Sequence, residues 1–332
     1  MPMHIAPTDS RLAWPGVVSL HPNGDWVMPW RVPYEERGLF PGPLVERAAM
    51  PAGVRLAFRT DATSVAGRCV AAPESAPIDL CCDGALIGTA PLAGNDGFRF
   101  EGLPAGEKLI ELWLPQFGEF RLRSLELSDG ATLRPFQDER PRWITYGSSI
   151  TQCRAAASPA QTWPAIVARE RGLRLTCLGY GGQCHLDSMV ARMMRDLPAD
   201  FLSMCVGINI YGGATLNPRT FRPAIIGFVQ LVRETHPDTP FVVMSPIVSP
   251  PRESTLNPVG FTLAAMREEV AAAVEALRAH GDRHVHYLDG LQVFGPELAH
   301  LLPDHVHPNA EGYRVMGRNF LRAVAELFVG DK

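Results

Sequence analysis

The sequence predicts two domains in series: an all-β, jelly-roll-like sandwich over residues 1–138, then a three-layer α/β/α domain with five parallel strands over residues 139–332. Three observations carry this expectation. Before residue 136, short apolar runs are separated by turn signals, and no convincing amphipathic helix lies among them. From Trp143 onward, strand-like and helix-like segments alternate, a pattern that demands crossover connections and therefore a parallel sheet. Between the two stretches, Gln137-Asp138-Glu139-Arg140-Pro141-Arg142 is a charged junction.

In the first part the strand-like runs are residues 16–20, 54–58, 78–82 and 109–114. Asp83-Gly84 and Asp129-Gly130 are hairpin-type turn pairs. In the second part, strands are expected near 142–147, 173–178, 200–206, 240–246 and 284–289. Helices are expected between them, at roughly 161–171, 186–196, 218–236 and 260–280, with a last one near 309–328. Ser249-Pro250-Pro251-Arg252-Glu253-Ser254 reads as a stiff polar loop placed to border a cleft.

Composition narrows the setting. A length of 332 residues exceeds the usual single domain, and 46% apolar with 20% charged residues is the balance of an ordinary folded protein. A net charge of -4 and a pI of about 6.2 give no basic footprint for nucleic acid. Residues 1–7 lack the charged start and apolar stretch of a signal peptide. No run of about 18 uninterrupted apolar residues suggests a membrane span. The seven cysteines are odd in number and scattered, so a reduced, cytoplasmic protein is expected. Cys153, Cys177, Cys184 and Cys205 match no zinc spacing and read as small buried thiols. His284 and His286 alternate along a strand without a third ligand at a recognised spacing, and His300 and His305 supply none. No metal and no cofactor are expected.

The chemistry-bearing residues follow the strands. Ser148-Ser149 follows the first strand of the second domain, Gly179 to Gly182 the second, and Gly207-Ile208-Asn209 the third. Open α/β sheets bind ligands outside the carboxyl edge of their strands, so these distant segments should converge there. A serine hydroxyl is a poor nucleophile near neutrality and needs an adjacent base. His307 is the candidate base, and Asp304 three residues earlier is placed to accept its other ring N–H and fix the tautomer. Backbone N–H groups at Ser149 and Gly182, with the Asn209 amide, are candidate donors to a developing oxyanion. Spacing alone leaves Ser148 and Ser149 both open as nucleophile.

Across residues 142–328 these blocks resemble the SGNH (GDSL-type) hydrolases. Gly147-Ser148-Ser149-Ile150-Thr151 is similar to the first block of that family, Gly-Asp-Ser-Ile-Thr, with Ser148 at the usual aspartate position. The resemblance selects Ser149 as nucleophile, Gly182 as the second-block glycine, Asn209 in Gly-x-Asn, and Asp304 and His307 in Asp-x-x-His. It implies a flavodoxin-like domain and ester chemistry through an acyl-enzyme on Ser149, acting on O-acyl esters of a small molecule or carbohydrate. A β-sandwich ahead of such a domain is similar to carbohydrate-esterase-like members, where it would be an accessory for binding substrate. It is also similar to members in natural-product biosynthesis that act as acyltransferases, with an acyl donor and an alcohol acceptor. A reading from another class is a carbohydrate-binding protein whose α/β domain is catalytically silent.

Several residues carry two readings. His185 is a substrate contact or a cap of the following helix, and Asp187 reads as a helix N-terminal residue. Trp163 and Tyr211 are candidates for lining the acyl or acceptor pocket, set against ordinary packing.

Overall fold

The computed structural model describes residues 1–328; the end of the expected second domain, 329–332, lies outside the described residues. The chain forms two compact units. The first comprises Met1–Arg140 with Ala157–Ala165 and Arg174–Cys177. The second comprises Pro141–Ala156, Ile166–Leu173 and the chain from Leu178 onward.

The first unit opens with β1 (Met3–Ile5), β2 (Ser19–Asn23), β3 (Trp26–Trp30) and the short helix α1 (Gly42–Ala48). There follow β4 (Arg55–Thr60), β5 (Ser64–Cys69), β6 (Ile78–Cys82), β7 (Ala85–Ala90) and β8 (Gly97–Glu101). β9 (Lys108–Trp113), β10 (Leu122–Leu127) and β11 (Leu133–Arg134) complete it. One sheet runs β2-β3-β10-β5-β8 with β1 paired to β10, and the other runs β11-β4-β9-β6-β7. Alternation builds the core: Val65 and Cys69 of β5 and Phe98 and Phe100 of β8 point inward, where they join Leu56, Leu80, Ile110, Leu112 and Leu125.

Three local features differ from expectation. The run at 16–20 begins in a turn, with Gly16 at φ 86, and the strand starts only at Ser19. α1 has seven residues, too few for helical periodicity to register, yet it buries Leu44 and Ala48. Asp83 (φ 47) and Gly84 (φ 83) do close the β6–β7 hairpin. Asp129-Gly130 instead leads the chain from β10 in one sheet to β11 in the other.

The second sheet also buries charge. Arg55 and Glu111 are almost fully enclosed, with Arg55 Nη1 3.6 Å from Glu111 Oε1. Arg140 Nη2 donates to Glu111 Oε1 at 2.8 Å and Arg140 Nε to Asp138 Oδ1 at 2.6 Å. The Arg55 guanidinium lies over the Trp113 ring, 4.8 Å from its centroid. Burial pushes Arg55 down to about 10 against the pull of the Glu111 carboxylate.

The remaining elements are β12 (Arg142–Gly147), α2 (Ser149–Gln152), α3 (Trp163–Arg171), β13 (Arg174–Gly179) and α4 (Ser188–Asp196). After them come β14 (Phe201–Cys205), α5 (Ile208–Gly213), α6 (Phe221–Arg233), β15 (Phe241–Met244) and α7 (Leu263–Ala279). β16 (Val285–Leu288), α8 (Gly290–Val293) and α9 (Ala310–Ala323) end the fold. The sheet order is β13-β12-β14-β15-β16, with parallel registers such as Trp143↔Phe201 and Leu202↔Phe241. β14 and β15 are buried at every position, as continuous apolar strands with both faces covered should be. The chain steps from β12 to one side for β13 and to the other for β14, which makes the end of β12 the switch point where such sheets place ligands. The five strands and the long helices coincide closely with the sequence expectation; α2, α5 and α8, each six residues or shorter, do not register in it.

Glu111→Gln should lower the unfolding free energy by about 3 kcal/mol in chemical denaturation, because it leaves Arg55 buried without its counter-charge. Adding Arg55→Met should recover most of the loss. A loss below about 1 kcal/mol for Glu111→Gln would show that Arg55 does not depend on this carboxylate.

Candidate active site

β12 ends at Gly147 and its two following serines diverge at once. Ser148 is 1% exposed and caps α2, its hydroxyl accepting the Ile150 N–H at 3.2 Å. Ser149, the first residue of α2, places Oγ 2.8 Å from His307 Nε2. One hydroxyl is consumed by the backbone and the other faces a base.

His307 comes from the loop ahead of α9. Its Nδ1 lies 2.6 Å from Asp304 Oδ2, and Asp304 Oδ1 accepts the backbone N–H groups of Val306 at 3.0 Å and His307 at 2.7 Å. Burial alone would raise the Asp304 carboxyl, but the His307 ring N–H and these two backbone donors outweigh it and hold the group at about 2. An ionised carboxylate only accepts, so the ring proton is assigned to Nδ1 and Nε2 is left to take the Ser149 proton.

The loop itself is tightly held. His305 sits at φ 62, in the left-handed region, and its carbonyl accepts the Ser249 hydroxyl at 2.6 Å. Ser249 is fixed in turn by Arg252 Nη1 at 3.0 Å and by its own N–H donating to Glu253 Oε1 at 2.9 Å. Arg267 of α7 grips Glu253 at 2.6 and 2.7 Å and donates to Pro246 O at 2.9 Å. The polar loop expected to border a cleft thus braces the turn that carries Asp304 and His307.

Two glycines shape the opposite wall. Gly182 has φ 74, a conformation that other residues adopt only with strain. The preceding Gly181 N–H donates to Gln152 Oε1 of α2 at 2.8 Å, which ties this turn to the helix that carries Ser149. Gly207 has φ 133, and a Cβ there would lie 2.4 Å from Pro246 Cγ, so no side chain fits at the entry to α5. α5 carries Asn209, whose Oδ1 accepts the Cys184 N–H at 3.0 Å. That bond occupies the amide oxygen and so fixes which end of the amide is the donor, Nδ2.

Other expected residues fall differently. His185 has both ring nitrogens engaged, Nδ1 with Thr215 Oγ1 at 2.9 Å and Nε2 with Gly182 O at 3.0 Å. It neither caps α4 nor offers a free nitrogen to a substrate. Asp187 holds the N-cap position of α4 without a side-chain capping bond, and burial raises its pKa. Tyr211 is 8% exposed and donates its hydroxyl to Thr255 O at 2.9 Å; Trp163, at the start of α3, is 1% exposed. Both aromatic residues are packed, which leaves them little surface for lining a pocket. A narrow apolar pocket is lined instead by Ile150, Ile208 and Val306, the sequence neighbours of Ser149, Asn209 and His307, with Pro246 and Val248. Gln152 and Thr215 support the site without any motif to announce them. Among the described residues, no three His, Cys, Asp or Glu side chains gather as a metal site. Among the described residues no helix is long and apolar enough to cross a membrane, and the seven cysteines are buried and form no disulfide.

Residues 145–315 match the family model described as GDSL-like Lipase/Acylhydrolase family, and residues 12–123 match that of the SsfX3 N-terminal domain. Over its whole length the chain is similar to the salicylyl-acyltransferase SsfX3 from a tetracycline biosynthetic pathway. Identity is 40%, coverage is 99% of this chain and 98% of that chain, and the TM-score is 0.91. It shares its fold with a family two carbohydrate esterase from Cellvibrio japonicus, at 15% identity, 99% and 98% coverage and a TM-score of 0.69. The same holds for an acetyl xylan esterase from the rumen bacterium Butyrivibrio proteoclasticus, at 11% identity, 99% and 100% coverage and a TM-score of 0.65. No curated protein matches the sequence. With its α/β domain matched over 145–315 and a relative 40% identical over nearly the full length, the chain belongs to the GDSL-like lipase/acylhydrolase family.

Proposed function

We propose that the protein is a serine esterase acting on O-acyl esters of a small molecule or carbohydrate through an acyl-enzyme on Ser149. The observation that carries this reading is the unbroken chain from Ser149 Oγ through His307 to Asp304, at 2.8 and 2.6 Å. Ser149 Oγ attacks the ester carbonyl as its proton passes to His307 Nε2, and the carbonyl oxygen becomes an oxyanion. The Ser149 and Gly182 N–H groups and Asn209 Nδ2 stabilise that charge, each donor being worth about 2.7–4 kcal/mol in such sites. The tetrahedral species collapses, the ester C–O bond breaks, and His307 returns the proton to the departing oxygen. Water then attacks the acyl-enzyme with His307 again as base.

A second reading is transfer of the acyl group to a hydroxyl of a small molecule, by the same steps with an alcohol in place of water. The similarity to SsfX3 across both domains favours it. The sandwich then has an accessory substrate-binding role. A purely carbohydrate-binding protein with a silent α/β domain is disfavoured, because an inert domain has no use for an aligned base on a hydroxyl. Seven buried cysteines, none in a disulfide, support a cytoplasmic setting.

Ser149→Ala should abolish labelling by a fluorophosphonate probe and lower turnover of an activated aryl ester by about 10⁴-fold or more. Ser148→Ala should keep both while losing about 1 kcal/mol of stability with the α2 cap. The reverse pattern would make Ser148 the nucleophile.

Asp304→Asn should lower kcat by about 10⁴-fold through loss of the required tautomer. Because the wild-type carboxyl is depressed to about 2, its ionised form, and the contact to His307, persists as pH falls until that value is approached. The kcat/KM profile should therefore show no Asp304 titration at the ordinary 3.8; an inflection there that Asp304→Asn removes would contradict this.

Incubation with an activated acetyl or aryl ester, with and without candidate alcohols, separates the two readings by mass spectrometry of the products. Acylated alcohol in excess over free acid supports transfer, whereas free acid alone under every acceptor supports hydrolysis.

A further inference from the structure

We infer that His185 and Thr215 are positioning residues that aim the Gly182 N–H at the oxyanion. This rests on the serine acyl-transfer reading and extends it to residues that touch neither Ser149 nor His307.

A carbonyl can only accept, so His185 Nε2 donates to Gly182 O at 3.0 Å. In the neutral ring Nδ1 then accepts the Thr215 hydroxyl, 2.9 Å away. A single neutral tautomer satisfies both contacts, and no ring nitrogen remains for acid–base work or for a ligand.

The geometry explains why such a clamp is needed. The peptide that carries the Gly182 N–H is flanked by two others. The one before it is pinned by Gly181 N–H to Gln152 Oε1 at 2.8 Å. The one after it is held by Gln183 N–H to Tyr180 O at 2.9 Å and by His185 on the Gly182 carbonyl. Gly182, at φ 74, is the flexible joint between them. With both neighbours fixed, the direction of its N–H is fixed; with the His185 contact gone, the Gln183 N–H to Tyr180 O is the remaining restraint on the following peptide, and the joint is held less tightly.

Thr215 is itself placed by the end of α5. Ala214 at φ 50 terminates that helix in the left-handed conformation, and Thr215 N–H returns to Ile210 O at 3.3 Å. A Cβ on Gly213 would meet Thr215 Cγ2 at 3.2 Å and His185 Cε1 at 3.4 Å, so the end of α5 lies beside both members of the pair. The start of α5 presents Asn209, which holds Cys184 N–H at 3.0 Å. Segment 182–185 and α5 are therefore joined at both ends of the helix, and the two oxyanion donors from separate loops share one frame.

The test measures kcat and KM on an activated ester for His185→Ala, His185→Gln and Thr215→Val, beside Ser149→Ala. It also measures affinity for phenylboronic acid, whose serine adduct places an oxygen in the oxyanion position. His185→Ala should lower kcat and boronate affinity together by about 10- to 100-fold, part of the loss of a full donor, with KM changed by less than about twofold. Thr215→Val should move the same quantities in the same direction by less. His185→Gln, whose amide can donate to Gly182 O and accept from Thr215, should recover most of the loss, which a general packing defect would not. A raised KM with unchanged kcat would mean that His185 contacts substrate, and unchanged kcat and boronate affinity in both His185→Ala and Thr215→Val would overturn the inference. An active Ser149→Ala would instead overturn the acyl-enzyme reading beneath it.

Discussion

A serine hydroxyl becomes a nucleophile only while a base sits within hydrogen-bond reach, so the α/β domain must hold Ser149 Oγ 2.8 Å from His307 Nε2 across 158 residues of sequence. Parallel strands meet this demand. β12 delivers Ser149 at its carboxyl end, and the connection after β16 delivers His307 to the same edge. Neither end of the contact needs to know about the other in sequence; both inherit their position from the sheet. The ionised Asp304 completes the arrangement by fixing which imidazole nitrogen faces the serine.

Precision at that edge is obtained by backbone conformations that side chains ordinarily avoid. Of the five non-glycine residues at positive φ among the described residues, Asp83 closes a hairpin in the sandwich and the other four, Cys153, Leu186, Ala214 and His305, lie in the loops and helix ends of the α/β domain. Each costs roughly 1–2 kcal/mol against a right-handed alternative. Each is also held by neighbours. Cys153 and Ala214 terminate α2 and α5, Leu186 donates its N–H to Tyr146 Oη at 3.1 Å, and His305 is gripped by Ser249. Strain concentrated in four short loops marks where geometry, not stability, has set the chain's path.

The same distinction explains what could be read from the sequence. β14 and β15 are continuous apolar runs because both faces are covered, and they stand out without any structure. Ser149, Asn209, Asp304 and His307 stand out because they recur as ordered blocks after strands. The supporting residues do not. Gln152 and Thr215 are single polar residues in a very short helix and a loop, and Ser249 shows only as the start of a polar loop; their partners, the Gly181 N–H, the His185 ring and the His305 carbonyl, are brought near only by the fold. Local pattern leaves Trp163 and Tyr211 open between pocket lining and packing, and their enclosed bulk accords with packing. Asp129-Gly130 has the chemistry of a hairpin turn but joins strands in different sheets, a distinction that no dipeptide encodes. Ser148 and Ser149 are identical as residues and become different only when one is spent on capping α2.

The choice between water and an alcohol is not made by the triad, since both need the same proton movements at His307. It is made by what occupies the space beside Nε2 once the first product leaves. The His307 side chain is 39% exposed and that of Asp304 56%, so the base is open to solvent. In an open site water competes at its full concentration, and an acyl-enzyme left alone hydrolyses. Transfer therefore requires an acceptor that binds before the acyl-enzyme turns over and displaces water from His307 by its own bulk. The capacity to transfer would then reside in acceptor affinity rather than in any catalytic group, and one triad would serve either outcome according to what is bound beside it.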